Sequence, residues 1–528
     1  MNDTRIRLVR GMFALLFLVL ACRLFWIQVV RSSEFKEQAR AQTRMRQLLA
    51  APRGEILGAD GSVLAADGPD GHREWPWGSL ALPLLGMVGR DGSGLMGLEY
   101  RWDRQLRGTP GWKVARRTGR GQPWPSFDEE GYRAQEGLSV VTTLRPGLQA
   151  EVEKILAEAV SSHRAQGGVA VVMEAGTGDV AAAASLPAPA NRQEMGQGRV
   201  DAGIVQRTYE PGSTFKLVTL SAALDAGSVD LSTLFTIGTS WNPGDGSAPI
   251  RDAHPNVGTH DVEWCLEESS NVCFAQIAGR VGQERLYRQA RDLGFGTPTG
   301  VEIPGEEGGI LRTVDQWSVR TLPTMAIGQE VTVTPLQLAS AYAAIANGGT
   351  LMRPRLVSAI VDARGDTVER FPPRAVRRAV TERSARLVLQ ALAGVVQSGT
   401  GRMAAISGQN VAGKTGTSQK VDAASGKYYQ DRFMASFVGI VGAKPNALVC
   451  LVVLDDPSAN GHTGGLVAAP AFARIARFAL EDPSLPWGAA SVDSAGALSA
   501  WLTRSHRTKP DTAQQQHIRE IAGSEAPG

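Results

Sequence analysis

A serine and a lysine three residues apart form the first pattern that could carry out chemistry. Ser213 and Lys216 lie in the segment 211–216, which opens an apolar run that predicts a helix. Residues i and i+3 share one helix face, so the lysine amine can reach the serine hydroxyl. A serine hydroxyl is a weak nucleophile, and a desolvated lysine with a lowered pKa can take its proton. The pattern therefore predicts an acyl-transfer nucleophile with its base, although this spacing alone is common in ordinary helices.

A second pattern is the triplet Ser269-Ser270-Asn271, which follows an apolar and acidic stretch. The Ser269 hydroxyl can relay a proton, and the Asn271 amide can hold a substrate carbonyl or the lysine amine. By itself such a triplet is usually a loop or a helix cap. It indicates a catalytic site only in combination with the serine and lysine described above.

A third pattern is Lys414-Thr415-Gly416-Thr417, between an apolar stretch and a polar loop. A lysine here can attract a terminal carboxylate, and the hydroxyls of Thr415 and Thr417 can bind it. A glycine within a strand lets another backbone approach closely, so Gly416 predicts a place where substrate lies against the strand. Taken singly, this pattern is also weak.

The surrounding sequence predicts strands and helices that could position these residues. Residues 138–143 read as a strand, and an amphipathic helix follows from about residue 146. Residues 168–173 and 180–185 are apolar or small and are separated by a glycine-containing turn, which predicts a hairpin of buried strands. Helical and strand patterns then alternate to about residue 482, so the fold class is α/β (α+β).

The N-terminal region predicts a membrane anchor. Residues 11–30 form an apolar stretch, and 20 residues of helix span a hydrocarbon core of about 30 Å. We expect residues 1–10 to be a cytoplasmic tail and the rest of the chain to lie outside the cytoplasmic (inner) membrane. A cleaved signal peptide is less favoured because no small-residue cleavage site is evident. A lipoprotein site at Cys22 is disfavoured by the apolar residues that follow it.

Composition limits the remaining classes. A chain of 528 residues predicts two or three domains, and its formal charge of +3 is nearly balanced. No basic run with interleaved aromatics occurs, so we expect no nucleic-acid partner. None of the four cysteines has metal-ligand spacing, so we expect no metal and no cofactor. Cys265 and Cys273 could be bridged only if the chain turned back between them. A disulfide is the less favoured alternative, because one helix continuing from 265 to 273 would hold the two sulfurs about 12 Å apart.

The order and spacing of the three patterns are typical of serine β-lactamases and penicillin-binding proteins. The chain resembles the class B penicillin-binding proteins, and most of all their septal, cell-division branch. Tyr209-Glu210 before the nucleophile, the stretch 326–329 and Gly464-Gly465 add to this resemblance. It implies a penicillin-binding, β-lactamase-like transpeptidase domain over 138–482, with a central antiparallel sheet flanked by helices. It also implies a shortened β-rich pedestal (the dimerisation-type domain) over 31–137; residues 483–528 predict a disordered tail.

The resemblance implies a role for each residue of the three patterns. Ser213 would attack a stem peptide ending in D-Ala-D-Ala, with Lys216 as base and Ser269 passing a proton to the leaving D-alanine. Asn271 would position the peptide. The family roles of the third pattern, carboxylate binding and part of the oxyanion hole, would fall on Lys414, Thr415, Gly416 and Thr417.

The resemblance also implies partners. β-Lactams would acylate Ser213, and glycan polymerisation would come from a separate membrane-embedded glycosyltransferase of the SEDS type, beside other divisome proteins. One departure from the family is Glu330, which replaces the glycine usual after Gly328-Gln329.

Three alternatives stay open. A D,D-carboxypeptidase or β-lactamase of the same fold would transfer the acyl group to water, and the sequence offers no obvious deacylating base. A non-catalytic β-lactam sensor is disfavoured by the intact trio and by the short segment before residue 11. Elongation, or a specialised role such as sporulation, competes with septal synthesis.

Overall fold

The computed structural model describes residues 3–117, 123–125, 131–188, 202–242, 249–254, 256–422, 424–442, 446–482 and 487. Apart from residue 487, the predicted tail over 483–528 lies outside the described residues. The chain forms two compact units, one of residues 1–52 and 108–137 and the other of 53–107 and 138–528. The predicted pedestal, 31–137, is shared between these units, and its boundaries as a module remain a proposal.

The strands and helices are numbered along the chain. The strands are β1 (Arg44–Leu49), β2 (Ile56–Leu57), β3 (Val63–Asp67), β4 (Arg73–Glu74), β5 (Gly111–Arg117), β6 (Pro123–Pro125), β7 (Gly131–Tyr132), β8 (Ser139–Thr142), β9 (Gly167–Glu174), β10 (Val180–Leu186), β11 (Leu234–Ile237), β12 (Gly258–Asp261), β13 (Thr350–Met352), β14 (Val357–Val361), β15 (Thr367–Arg370), β16 (Ala375–Arg378), β17 (Val411–Val421), β18 (Tyr428–Val441) and β19 (Leu448–Asp455). The α-helices are α1 (Asp3–Phe25), α2 (Ser32–Thr43), α3 (Leu82–Leu85), α4 (Gly97–Arg101), α5 (Asp103–Leu106), α6 (Pro146–Ser162), α7 (Gly203–Gln206), α8 (Lys216–Asp225), α9 (Val262–Glu267), α10 (Asn271–Val281), α11 (Gln283–Asp292), α12 (Thr321–Met325), α13 (Pro335–Ala346), α14 (Glu382–Gln397), α15 (Gly464–Val467) and α16 (Ala469–Glu481).

The smaller unit contains an N-terminal apolar helix and an antiparallel sheet. Helix α1 continues through a wider helical turn at Trp26–Val30, and α2 follows. Within the described residues, only Asp3–Val30 forms a helix long and apolar enough to cross a membrane. This helix fits the predicted anchor, although it begins at Asp3 instead of residue 11. Strand β5 pairs with β1, β6 and β7.

The larger unit is organised around a five-stranded sheet with the order β10-β9-β19-β18-β17, in which every neighbouring pair is antiparallel. The hairpin β9–β10 confirms the one expected from the sequence. Side chains of a strand alternate between faces, and on β9 Val171 and Val172 belong to different hydrophobic clusters. Both faces of the sheet are therefore covered, which explains why β9 is apolar from Val169 to Met173.

Helices form the two covering layers. The cluster on one face includes residues of α8 and α13, and the cluster on the other includes residues of α6 and α16. A second sheet in this unit has the order β15-β14-β8-β2-β3-β4. The central antiparallel sheet with flanking helices agrees with the predicted fold class.

The expectation about the cysteines was wrong, because Cys265 and Cys273 form a disulfide with Cα atoms 6.1 Å apart. Helix α9 ends at Glu267, and α10 begins at Asn271. Between them Ser269 has φ +57°, a left-handed conformation that turns the chain back on itself. The two cysteines therefore lie on different helices, and the Ser269-Ser270-Asn271 triplet is the turn that they enclose.

A buried ion-pair cluster joins three segments of the larger unit, around residues 53, 73 and 99–103. Glu99 is fully buried, and its two carboxylate oxygens accept from Nε of Arg53 and Nε of Arg73, each at 2.7 Å. Arg53 also donates to Asp103 at 2.8 Å. Charges removed from water need such pairing, so this cluster depends on all of its members being present.

Candidate active site

The nucleophile candidate Ser213 lies in a tight turn that leads into α8. Gly212–Phe215 forms a 3₁₀ turn, and α8 begins directly afterwards with Lys216. Because a 3₁₀ helix has three residues per turn, side chains at i and i+3 eclipse, so Ser213 and Lys216 project from the same side. Lys216 is fully buried, whereas Ser213 is partly exposed. This geometry leaves the hydroxyl accessible and removes the amine from water.

The Lys216 amine is held by the turn between α9 and α10. Its Nζ lies 2.5 Å from Ser269 O, 3.1 Å from Ser269 Oγ and 2.9 Å from Asn271 Oδ1. Among the described residues, Ser213 is not one of the hydrogen-bond partners of this amine. A neutral amine has two N–H donors and one lone pair, so one of these three contacts can have the Ser269 hydroxyl as donor.

Ser269 connects the two lysines. Lys414 Nζ donates to Ser269 Oγ at 2.9 Å, and Ser269 Oγ lies 3.1 Å from Lys216 Nζ. The hydroxyl can thus accept from Lys414 and donate to Lys216 at the same time. The structure therefore brings the first, second and third sequence patterns together as one chain of hydrogen bonds.

Burial changes the protonation of both lysines. The pKa of Lys216 is lowered well below its ordinary value, first by desolvation and then by the positive charge of Lys414, while Asp252 opposes this shift. Desolvation lowers the pKa of Lys414 to about 7, against a weaker raising effect of Glu268. Lys216 therefore loses its proton easily, which is the state that a general base requires.

The third pattern lies on β17, at the end of the strand order. Thr415 Oγ1 is 2.9 Å from Thr400 Oγ1, and Thr417 Oγ1 accepts from Gly464 N at 3.1 Å. A side chain on Gly416 would meet Ser436 Oγ at 2.4 Å and Pro211 O at 2.9 Å. Gly416 therefore lets β18 and the segment that carries Ser213 pack closely against β17, and the approach of substrate at this strand stays a prediction.

A second close approach fixes the nucleophile turn from the other side. Gly212 N donates to Gly328 O at 3.0 Å, and a Cβ on Gly328 would lie 2.1 Å from Gly212 O. Gly328 also has φ +83°, so glycine is needed here both for space and for conformation. The Ala326–Gln329 stretch, noted in the sequence only by resemblance, thus packs directly behind Ser213.

Glu330, the residue that departs from the family pattern, has φ +61°. Glycine tolerates this left-handed conformation best, which explains the usual glycine at this position. Glu330 N donates to Glu210 Oε1 at 2.9 Å, and Tyr428 Oη donates to the Glu210 carboxylate at 3.0 and 3.1 Å. Burial, helped by the neighbouring Glu330 charge, raises the pKa of Glu210.

Sequence reasoning missed two groups next to the Asn271 side chain. Asp252 accepts from the backbone of Asn271, and Arg251 O accepts from Asn271 Nδ2 at 3.0 Å. These residues lie about 20 positions upstream in a polar loop with no pattern of its own. The disulfide that flanks the same turn was also missed, since its formation depends on the left-handed Ser269.

The comparison with known families decides what this site belongs to. The model of the "Penicillin binding protein transpeptidase domain" matches residues 168–477, a range that contains all three patterns. The chain belongs to the penicillin-binding protein transpeptidase family. The family predicted from the sequence is thereby confirmed.

The chain is similar in sequence to several named proteins. The chain is 34% identical over 423 residues to Stage V sporulation protein D of Bacillus subtilis, covering 78% of this chain and 64% of that protein. It is 34% identical over 426 residues to penicillin-binding protein PbpB of Mycobacterium tuberculosis, covering 78% and 62%. It is 32% identical over 439 residues to the probable peptidoglycan D,D-transpeptidase PenA of Neisseria gonorrhoeae, covering 80% and 71%. The chain thus spans less than two thirds of the length of the first two.

Solved structures of this family share the fold. The crystal structure of penicillin binding protein 3 from Mycobacterium tuberculosis superposes with a TM-score of 0.74 and 32% identity, covering 84% of this chain and 98% of that chain. The same M. tuberculosis protein in complex with ampicillin gives a TM-score of 0.73. Penicillin-binding proteins of this fold thus match the chain over most of its length.

Proposed function

We propose that this penicillin-binding protein is a serine-type peptidoglycan D,D-transpeptidase, which cross-links stem peptides through an acyl-enzyme on Ser213. The observation that carries the proposal is the hydrogen-bonded chain Lys216–Ser269–Lys414, which starts on the same side of the turn as Ser213. The name of PenA, a probable peptidoglycan D,D-transpeptidase, supports the same activity.

Acylation would use this chain of hydrogen bonds as a proton path. Ser213 Oγ forms a bond to the carbonyl carbon of the penultimate D-alanine while its proton passes to Lys216 Nζ. The bond from that carbon to the nitrogen of the terminal D-alanine then breaks. The leaving amine takes a proton from Ser269 Oγ, which is replenished from Lys216 over 3.1 Å. Free D-alanine leaves, and the remaining stem stays esterified to Ser213.

Substrate would bind along β17. Among the described residues, β17 is an edge strand of the central sheet, so an extended peptide can pair beside it. Lys414, Thr415 and Thr417 would hold the terminal carboxylate. The backbone N–H groups of Ser213 and Thr417 would stabilise the oxyanion, each worth about 3 to 4 kcal/mol in comparable enzymes.

Release of the acyl group would need a second stem. Its amine attacks the ester carbonyl, the bond to Ser213 Oγ breaks, and the amine's proton returns to Ser213 through Lys216. The proposal requires no metal and no cofactor. A β-lactam would enter the same site and leave a stable acyl group on Ser213.

Cell-wall synthesis at the septum is the proposed setting, with the N-terminus in the cytoplasm and the catalytic unit on the outer side of the inner membrane. The apolar helix Asp3–Val30 supports an anchor, and the pedestal would contact divisome proteins and a SEDS-type polymerase. Depletion should then give filamentous cells. Round cells would indicate elongation instead, and unchanged morphology would contradict both.

Labelling with a fluorescent penicillin tests the proposed chemistry. The detergent-solubilised full chain should acquire a covalent label that persists for hours, because water is a poor acceptor in a transpeptidase. Ser213→Ala should abolish the label, and Ser407→Ala, at an exposed serine, should leave it unchanged. Loss of label within minutes would favour the hydrolase alternative. Absence of any Ser213-dependent label would contradict the acyl-enzyme.

A further inference from the structure

Asp252 lies against the first turn of α10, outside the three sequence patterns. Its Oδ1 accepts from the backbone N–H groups of Asn271 at 2.5 Å and Val272 at 3.0 Å. Its Oδ2 accepts from Ser270 Oγ at 2.8 Å and from Asn256 Nδ2 at 3.3 Å. One carboxylate thus binds three donors of the turn that carries Ser269 and Asn271.

The carbonyl next to Asp252 fixes the direction of the Asn271 amide. Asn271 Nδ2 donates to Arg251 O at 3.0 Å, so the NH₂ end of the amide faces the 251–252 segment. The Oδ1 end then faces Lys216 and accepts from its Nζ at 2.9 Å. An amide turned the other way would place its NH₂ against a lysine and its oxygen against a carbonyl, and both contacts would be unfavourable.

We propose that Asp252 is a positioning residue for this active site, which holds Asn271 and the Ser269 turn against Lys216 and supplies a negative charge that opposes the effect of Lys414 on Lys216. The inference rests on the proposed function of Ser213 and Lys216. Asp252 does not touch the reacting atoms in this arrangement; it acts through Asn271 and through its charge.

The charges around Lys216 define what Asp252 contributes. Lys414 on β17 disfavours a proton on Lys216, and Asp252 is the anion that favours one. The face of the Phe274 ring lies 5.4 Å from Lys216 Nζ, and Glu268 acts mainly on Lys414. Removal of the Asp252 charge should therefore lower the pKa of Lys216 further, because its protonated form loses a stabilising partner.

A purely structural cap is the alternative reading. Ser270 already caps α10, since its side chain accepts from Cys273 N. Asp252 binds the two earlier N–H groups of the same helix, which alone would stabilise the helix. A cap would change stability and leave the protonation of Lys216 unaltered, so the pH dependence of acylation separates the two readings.

Two substitutions in the full, detergent-solubilised chain test the inference. For each variant, the second-order rate constant of acylation by a fluorescent penicillin is measured from acidic to alkaline pH. Asp252→Asn keeps the shape and one acceptor oxygen but removes the charge. The acid limb of the profile, where the rate rises as Lys216 loses its proton, should therefore move to lower pH. Asp252→Ala removes all contacts of the carboxylate and should lower the rate about 10- to 100-fold.

Asp225→Asn is a matched control, because the Asp225 carboxylate also accepts hydrogen bonds near the start of a helix. Its donors are Thr381 N and Thr381 Oγ1, and Thr381 caps α14. Asp225 lies nine residues along α8 from Lys216, about 13 Å away, beyond the screening length of about 10 Å at 0.1 M salt. This variant should keep the wild-type acid limb. An unmoved acid limb in Asp252→Asn, or an equal shift in Asp225→Asn, would overturn the inference. A wild-type chain without label would overturn the proposed function, and this inference with it.

Discussion

The Cys265–Cys273 disulfide gives a prediction that joins stability to catalysis. Both cysteines are fully buried, and they enclose the turn whose Ser269 and Asn271 hold Lys216. Replacing both cysteines by alanine, or reducing the wild-type protein, removes the cross-link between α9 and α10. The Ser269 turn, already in a left-handed conformation, then depends only on its hydrogen bonds.

The size of the effect follows from the enclosed loop. A sequence separation of 8 gives an unfolded-state loop entropy worth about 2.5 kcal/mol at 25 °C. For about 400 residues unfolding together, with about 2.1 cal/mol/K per residue, this corresponds to a decrease in Tm of about 3 °C. A shift of the turn by a fraction of an ångström should also lower the acylation rate, on the order of tenfold.

Thermal unfolding and fluorescent-penicillin acylation measure the two effects, with and without reductant. Thiol titration of the denatured chain should find Cys22 and Cys450 free before reduction and all four cysteines afterwards. Cys450→Ala is the control, because it removes a buried sulfur from β19 without touching the turn. Four titratable thiols in the oxidised protein, or a double variant equal to wild type in both Tm and acylation, would refute the reasoning.

Three further predictions concern buried charges. Desolvation lowers the pKa of Lys414 to about 7, so above that pH the carboxylate of a β-lactam loses its cationic partner and the acylation rate should decline. Lys414→Arg keeps the positive charge and should remove this decline in a pH–rate profile. The same decline in the variant and the wild type would contradict the prediction. Glu99→Ala removes the buried carboxylate that Arg53 and Arg73 share and leaves Arg53 with Asp103 and Arg73 with Asp67. The free energy of unfolding in chemical denaturation should fall by about 3 to 5 kcal/mol, with a smaller loss for Glu99→Gln; a loss under about 1 kcal/mol would disagree. Burial raises the pKa of Glu153 to about 7, whereas the unfolded chain releases this proton above about pH 4.5. The free energy of unfolding should therefore decrease as the pH rises from about 4.5 to about 7. Glu153→Gln should flatten that part of the stability curve, and an unchanged slope would count against the assignment.

Local patterns were sufficient to predict several elements. Two continuous runs of apolar or small residues, 168–173 and 180–185, separated by a glycine-containing turn, predicted the β9–β10 hairpin, because strands that are covered on both faces carry few polar residues. The apolar period after residue 146 predicted α6. The serine and lysine spacing placed Ser213 and Lys216 on one side, since the 3₁₀ turn and the helix both bring i and i+3 together.

Other features depended on conformations that no local pattern reveals. The disulfide was disfavoured from the sequence because it requires the chain to turn back between the cysteines, and the left-handed Ser269 makes that turn. Asp252 was missed because its three donors belong to a turn about 20 residues away. The close packing of Ser436 and Pro211 against Gly416 was also not evident from the local sequence, because both lie far from it along the chain.

The sequence by itself determined which chemical groups are available and which family they belong to. Three short patterns, in a fixed order, supply the proposed nucleophile, two lysines and the proposed relay hydroxyl, because side-chain chemistry is a property of residue type. Only the tertiary structure decided how these groups act on one another. Their pKa values, the direction of the Asn271 amide and the joining of Lys216 to Lys414 through Ser269 arise from burial and from contacts between residues 20 to 145 positions apart. Such contacts depend on how the whole chain packs, and local sequence does not encode them.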